Sequence, residues 1–126
     1  MTVELDAEYR PSEDELFMNE RQREYFRNKL LRWKEDLLKE SRETLANLQE
    51  ESQNHPDIAD RASSETDRSI ELRARDRQRK LIAKIDAALE RIADGSYGYC
   101  IETGEPISIK RLEARPIATL SLEAQE

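Results

Sequence analysis

A chain of 126 residues has the length of one domain, but 39% of its residues are charged and 37% are hydrophobic. The net charge of −7 disfavours general binding to nucleic acid, because phosphate affinity comes from Lys and Arg. The single cysteine excludes an intrachain disulfide framework. No run of apolar residues comes near the length of about 18 that a membrane-spanning helix needs. Apolar residues at helical spacing predict an elongated, ordered helical protein. The acidic N-terminus lacks the apolar segment of a signal peptide, so the expected location is the cytoplasm.

The first long element follows a polar N-terminal arm, residues 1–18. Asn19 is a favoured helix N-cap, and Gln22, three residues later, completes the pattern of a capping box. Steps of three and four residues then separate the positions of a coiled-coil seam, so we predict a helix that extends to about Ser52. The seam residues are Phe26, Leu30, Trp33, Leu37, Ser41, Thr44 and Leu48.

A break and a second helix follow. Pro56 disfavours a helical conformation of the residue before it, so we predict a turn at residues 53–60. The second helix is expected to begin between Asp57 and Asp60 and to end at Asp94, where Gly95 stops it. Its predicted seam consists of Ala62, Leu72, Gln78, Ile82, Ile85, Leu89 and Ile92.

Two long helices joined by a short turn pack as antiparallel neighbours. Residues 19–94 are therefore predicted to form a helical hairpin; an oligomerising coiled coil remains the alternative. Residues 95–126 contain all three glycines and are predicted to form a small module with a short helix at residues 108–114. The expected fold is mainly α: a long helical hairpin with a small, degenerate zinc-ribbon-like module at its base. The N-terminal arm and the nearby ends of the two helices are expected to complete this globular part.

Two features of the hairpin have competing interpretations. Asp57 and Asp60 at the turn are explained by helix capping, although two carboxylates can also hold or influence a divalent cation. The run from Arg73 to Lys80 contains five basic residues and one acidic residue. It is either a solvated face that pairs with the first helix or a docking surface for acidic protein or phosphate.

The chemistry of an enzyme is not evident in the sequence. One histidine and one distant cysteine assemble no nucleophilic constellation, so no catalytic residue is predicted. Cys100 has the surroundings of a zinc knuckle, but Thr103 occupies the position of the second ligand, and no second Cys-x-x-Cys follows. A structural zinc site needs four nitrogen or sulfur ligands, so we predict that no zinc binds.

Several segments have a specific family pattern. They are Tyr9-Arg10-Pro11, Met18-Asn19-Glu20, the stretches 56–62 and 69–82, Tyr97-Gly98-Tyr99-Cys100 and Arg111-Leu112-Glu113-Ala114-Arg115-Pro116. Together they cover nearly the whole chain, which resembles the DksA/TraR family of bacterial transcription regulators. The resemblance implies a cytoplasmic monomer that binds RNA polymerase and neither DNA nor membrane.

The resemblance also implies roles for the hairpin. Members of the family insert the coiled coil through the secondary channel of polymerase and modulate initiation, notably at ribosomal RNA promoters. Asp57, Asp60 and Ala62 match the tip residues that act near the active centre without doing chemistry themselves. Arg73 and Arg77 match the stalk that contacts polymerase. A coiled-coil adaptor without polymerase activity, and more remotely a carboxylate-held metal enzyme that cleaves transcripts, remain the alternatives.

Two departures concern the base of the hairpin. Leu81, Lys84 and Arg115 match the family's contacts with guanosine tetraphosphate, the alarmone of the stringent response, but Gln125 replaces a further basic contact and is expected to weaken binding. Only one of the four zinc ligands remains; the four positions are Cys100, Thr103, Ser121 and Ala124. We therefore expect a zinc-independent member, in which apolar packing replaces the metal. The packing residues are expected to be Tyr97, Tyr99, Ile101, Ile107, Ile109, Leu112 and Leu120.

Overall fold

The computed structural model describes the backbone of residues 5–54 and 58–125. It also describes their side chains, except at residues 44, 47–54, 58–64, 122 and 123. These residues form helices α1 (Glu20–Asn54), α2 (Ile58–Asp94), α3 (Ile109–Ala114) and α4 (Leu122–Gln125). Across the described ranges the only β pairing is an isolated antiparallel bridge between Tyr99 and Pro106. None of the helices in these ranges has the length and apolar character needed to cross a membrane. The predicted mainly α class is confirmed.

The start of α1 follows the predicted cap with one difference. The Oδ1 atom of Asn19 accepts a hydrogen bond from the backbone N–H of Gln22 at 2.9 Å, as an N-cap does. The Oε1 atom of Gln22 does not accept from Asn19, as a capping box requires, but from the N–H of Met18 at 2.7 Å. The Nε2 atom of Gln22 donates to the carbonyl of Ser12 at 3.0 Å. This buried side chain therefore ties the N-terminal arm to the helix.

The helix ends agree with the predicted breakers. α1 ends at Asn54 and α2 begins at Ile58, so both helices extend into the predicted turn at residues 53–60; residues 55–57 lie outside the described ranges. α2 ends at Asp94, and Gly95 follows with a φ of +87°, a conformation that glycine adopts easily.

Residues 5–32 and 84–125 form one compact unit, called the base unit below. Its apolar core includes the buried side chains of Phe26, Leu30, Ile85, Ala88, Ile92, Tyr97, Ile107 and Leu112. The ring of Phe26 contacts that of Tyr97, with centroids 5.8 Å apart. The hydroxyl of Tyr97 donates to the carbonyl of Pro116 at 2.7 Å, so its polar end is satisfied inside the core.

Residues 33–83 form the second compact unit, called the hairpin unit below. Leu37 is buried here. Further along, the hydroxyl of Ser41 donates to Oε1 of Gln78 at 2.9 Å, and Nε2 of Gln78 donates to Glu40 at 3.0 Å. Both seams therefore meet through polar side chains, as the sequence predicted for Gln78.

The expectation that Leu72 belongs to the seam is wrong, because its side chain is 51% exposed. Leu72 lies six residues before Gln78, which places it about 120° away around a helix of 3.6 residues per turn.

The C-terminal module has the predicted short helix. Ser108 caps α3, and its Oγ atom accepts from the N–H of Arg111 at 3.2 Å. Of the side chains expected to pack in place of a metal, four are buried and Leu120 is half-buried. Tyr99 is 37% exposed but packs its ring against that of Phe17, with centroids 5.3 Å apart. The expectation is wrong for Ile101, which is 69% exposed. Ile101 lies in the turn that connects Cys100 to Gly104, and a short turn directs such side chains to solvent. The predicted domain boundaries at residues 18 and 94 stay predictions.

Candidate functional site

The residues predicted to act at the tip are only partly described. Asp57 lies outside the described ranges, whereas Asp60 and Ala62 lie in α2 at positions where the structure describes the backbone alone. Their roles therefore stay predictions.

The basic run lies on α2 within the hairpin unit. Arg73 and Arg77 are exposed and, four residues apart, lie on the same face of the helix. Lys80, in contrast, forms an ion pair within the helix, because its Nζ atom lies 3.4 Å from a carboxylate oxygen of Asp76. A shallow groove of about 450 Å³ adjoins this face. Its lining residues are Glu65, Arg68, Ser69, Leu72, Arg73 and Asp76.

A cavity of about 220 Å³ in the base unit brings four cationic side chains together. Lys84 and Arg91 come from α2, where seven residues, or two helical turns, separate them. Arg111 and Arg115 come from α3 and its C-cap, one turn apart. Among the described residues that line this cavity, none is Asp or Glu. Such a cluster attracts anions, and arginine in particular suits phosphate oxygens.

The sequence prediction named two of these four cations, Lys84 and Arg115. Arg91 and Arg111 were not predicted from the sequence. Their spacing, seven residues from Lys84 and four from Arg115, places each on the same helical face as its partner but does not show that the two pairs meet. The third predicted contact, Leu81, belongs to the hairpin unit and is not among the residues that line the cavity.

The backbone around Arg115 is fixed from several directions. Its N–H donates to the carbonyl of Arg111 at 2.7 Å, and its carbonyl accepts from Ala118 at 3.0 Å. Lys29 of α1 holds α3, because its Nζ atom donates to the carbonyl of Glu113 at 2.9 Å and lies 3.0 Å from Oε2 of that residue. This ion pair is partly buried, so it is screened less than a surface pair.

The nearby Tyr25 also interacts with Glu113. Burial is the main reason why the pKa of Tyr25 is raised to about 12, and the hydrogen bond and negative charge of Glu113 raise it further. The base unit thus presents the arginines of α3 on a firmly held helix.

Cys100 occupies a buried position in the C-terminal module and is 2% exposed. The hydroxyl of Ser121 donates to its Sγ atom at 3.8 Å, and this hydroxyl in turn accepts from the N–H of Ala124 at 3.2 Å. Hydrogen bonds from the Thr103 side chain, and then from the Ser121 backbone, lower the pKa of Cys100 to about 6. Donors that favour the thiolate act in this way even where burial opposes it.

The four former ligand positions do not fit zinc. Cys100, Thr103 and Ser121 come together, but they offer one thiol and two hydroxyls. Ala124 contributes only its backbone N–H, which is a hydrogen-bond donor and not a metal ligand. Within the described ranges no group of three or more His, Cys, Asp or Glu side chains is arranged to hold a metal. A tetrahedral site with four nitrogen or sulfur ligands cannot be built from this set.

Comparisons with known proteins extend over both parts of the chain. The family described as DnaK suppressor protein DksA, N-terminal domain, matches residues 22–92, and the prokaryotic dksA/traR C4-type zinc finger matches residues 95–126. The RNA polymerase-binding transcription factor DksA of Caulobacter vibrioides is 72% identical over 95% of this chain and 84% of its own length. The protein of the same name from Escherichia coli K12 is 44% identical over 93% of this chain and 78% of its own length.

A solved structure agrees with the helical architecture. The transcription factor DksA2 from Pseudomonas aeruginosa has a TM-score of 0.81 and 45% identity, covering 86% of this chain and 84% of that one. The family matches and these relatives show that the chain belongs to the DksA/TraR family.

Proposed function

We propose that this chain is a transcription factor that binds RNA polymerase directly and modulates initiation. The observation that supports this most strongly is the 72% identity, over 95% of the chain, to a protein named RNA polymerase-binding transcription factor DksA. The helical hairpin of α1 and α2 is the element suited to reach into a narrow channel. In this proposal the protein is not an enzyme, and it acts in the cytoplasm as a monomer without binding DNA.

The hairpin tip is the part proposed to act at the active centre of polymerase, reached through the secondary channel. Asp57 lies between the two long helices in the sequence, Asp60 is in the first turn of α2, and Ala62 follows two residues later. Carboxylates interact with Mg²⁺ and with cationic groups around it, so they can perturb such a centre without catalysing a reaction.

The stalk is proposed to contact polymerase through Arg73 and Arg77. Both side chains are exposed on one face of α2, beside a groove that has Leu72 as its apolar part. Arginine beside an exposed apolar side chain is a favourable combination for a protein interface.

The cationic cavity is proposed to bind the phosphates of guanosine tetraphosphate together with polymerase, through Lys84 and Arg115. Its 220 Å³ is smaller than the roughly 300–1,000 Å³ of typical small-molecule pockets. It therefore accommodates phosphate groups and leaves the rest of the nucleotide to Leu81 and to polymerase. The response at ribosomal RNA promoters would then depend on this alarmone.

Zinc independence is part of the proposal, although the matching family is described as a C4-type zinc finger. The hydrogen bonds of Cys100 and the buried side chains of Tyr97, Ile107 and Leu112 are available to hold the module together instead. Protein purified without chelator should contain no stoichiometric zinc, and chelation should leave its melting temperature unchanged. Stoichiometric zinc, with a lower melting temperature after its removal, would refute this part.

The function is tested by transcription in vitro from a ribosomal RNA promoter, with polymerase binding measured in parallel. Asp57→Asn and Asp60→Asn should still bind polymerase but no longer inhibit, because the tip carboxylates act after docking. Arg73→Ala with Arg77→Ala should weaken binding itself. A wild-type protein that neither binds polymerase nor changes transcription would favour the coiled-coil adaptor, and faster transcript cleavage would favour the enzyme.

A further inference from the structure

Gln125 of α4 also lines the cavity of the base unit, beside the four cations. Its Oε1 atom accepts a hydrogen bond from Nη2 of Arg111 at 2.5 Å. The Nε atom of the same guanidinium donates to the carbonyl of Leu120 at 2.8 Å. Two protein oxygens therefore engage one edge of Arg111.

This arrangement fixes the direction of the guanidinium. A guanidinium is planar, with its donors in a rigid fork, so engaging Nε and Nη2 determines where the remaining donors point. Among the described residues, no acceptor engages the Nη1 donors or the second hydrogen of Nη2. Arg111 lines the cavity beside Lys84, Arg91 and Arg115, so these free donors belong to the anion-binding surface.

We propose that Gln125 is a positioning residue that orients Arg111, and that Arg111 thereby serves as a phosphate-binding cation of this site. The inference rests on the proposed alarmone site and deepens it. A basic residue at position 125 has no acceptor for Arg111 and repels it, whereas a glutamine carbonyl accepts. The family binds phosphate with a basic residue at position 125. In this chain Gln125 of α4 instead holds Arg111 of α3 in place as the phosphate-binding cation.

The proposal predicts the size of two effects. Arg111→Ala removes charge-assisted hydrogen bonds to phosphate and should raise the half-maximal concentration of guanosine tetraphosphate about tenfold. Gln125→Met keeps the length of the side chain but removes the acceptor, so Arg111 must be ordered when the anion binds. This should raise the same concentration about threefold.

The decisive test is a double-mutant cycle on the full-length chain, in ribosomal promoter transcription titrated with guanosine tetraphosphate. If Gln125 acts through Arg111, the double variant should match Arg111→Ala alone. A merely structural role would also lower the melting temperature and the maximal inhibition, so both are measured. Lys110→Ala is the matched control, because Lys110 is an exposed cation of α3 that does not line the cavity, and its response should equal that of the wild type.

Three results would overturn the inference: no effect of Gln125→Met, an equal effect in the Arg111→Ala background, or a stronger alarmone response of Gln125→Lys. The last result would mean that net charge decides the affinity and that orientation of Arg111 does not.

Lys84→Ala distinguishes the inference from the proposed function. If Lys84→Ala responds like the wild type, or if the wild type does not respond, the alarmone site itself is wrong and the inference falls with it. If Lys84→Ala weakens the response and the cycle is additive, only the inference about Gln125 is wrong.

Discussion

The two units of this chain are built on different principles. The base unit has an apolar core, with Phe26, Leu30 and Ile85 fully buried, and aromatic rings that contact one another. The hairpin unit has Leu37 as a buried residue, while Ile70 and Leu72 are about half exposed. Its helices also meet through the polar pair of Ser41 and Gln78. Burial of apolar area drives folding, so stability should be concentrated in the base unit.

The difference also separates what each unit offers to a partner. Polar seam residues contribute less stability than apolar ones but specify register. Exposed apolar side chains beside arginines, as around Arg73, contribute little to the free protein and are available to a partner. The base unit, in contrast, holds its cationic side chains on a packed helix. In the proposed function, the base unit therefore supplies stability and anion binding, and the hairpin unit supplies contacts with polymerase.

The largest expected effect is on stability, for the same substitution in each unit. Leu30→Ala removes a fully buried side chain of the base unit and should lower the free energy of unfolding by about 2–5 kcal/mol. Leu45→Ala in the hairpin unit is the matched control on the same helix, since Leu45 is 41% exposed. It should change stability by less than about 1 kcal/mol. Urea unfolding followed by circular dichroism measures both, and equal losses would contradict the comparison.

The second prediction concerns the pH dependence of the base unit. The pKa of Cys100 is about 6 in the folded protein, against 9.0 for an unperturbed thiol. The unfolded state therefore binds more protons between these values, so the free energy of unfolding should rise as the pH increases from 6 to 9. The stabilisation is complete above pH 9 and is lost as the pH falls through 6.

Ultraviolet absorbance of the thiolate tests this directly. The wild type should titrate near pH 6, Thr103→Val should titrate at higher pH, and Cys100→Ser should show no such transition. Cys100→Ser should also lack the rise of stability between pH 6 and 9. A wild-type thiol that titrates near 9 would mean that the hydrogen bonds from Thr103 and Ser121 do not hold a thiolate.

The smallest expected effect lies in the polar seam of the hairpin unit. Replacing both partners, Ser41→Ala with Gln78→Leu, removes a hydrogen-bonded pair and adds apolar contact. Such replacements are often neutral or stabilising, so the free energy of unfolding should rise by at most about 1 kcal/mol. Sedimentation should show whether the oligomeric state of the variant differs from that of the wild type, because an apolar seam specifies the pairing less well. A loss of more than 1 kcal/mol would show that the polar pair is a main source of stability.

The helices were predictable from the sequence because local signals define them. Pro56 and Gly95 bound the two long helices, and Asn19 and Ser108 cap α1 and α3. The errors arise where packing between distant segments decides. Leu72 was assigned to the seam from hydrophobicity, although its angular position on the helix turns it away.

The candidate site was predictable in part, because family resemblance pointed to Lys84 and Arg115. Arg91 and Arg111 join them through the packing of α3 against α2, which no local pattern determines. The role of Gln125 was not predictable either. The sequence shows only that Gln125 replaces a basic residue of the family. The structure shows that it has a partner, Arg111.

The assignment of separate roles to tip and base is tested most directly by one transcription assay, with and without guanosine tetraphosphate. Asp57→Asn with Asp60→Asn should abolish inhibition in both conditions, because the tip acts in each of them. Lys84→Ala with Arg115→Ala should retain alarmone-free inhibition and lose only the increase that the alarmone produces. If both double variants lost the two activities to the same extent, the roles would not be separate, and the account would be wrong.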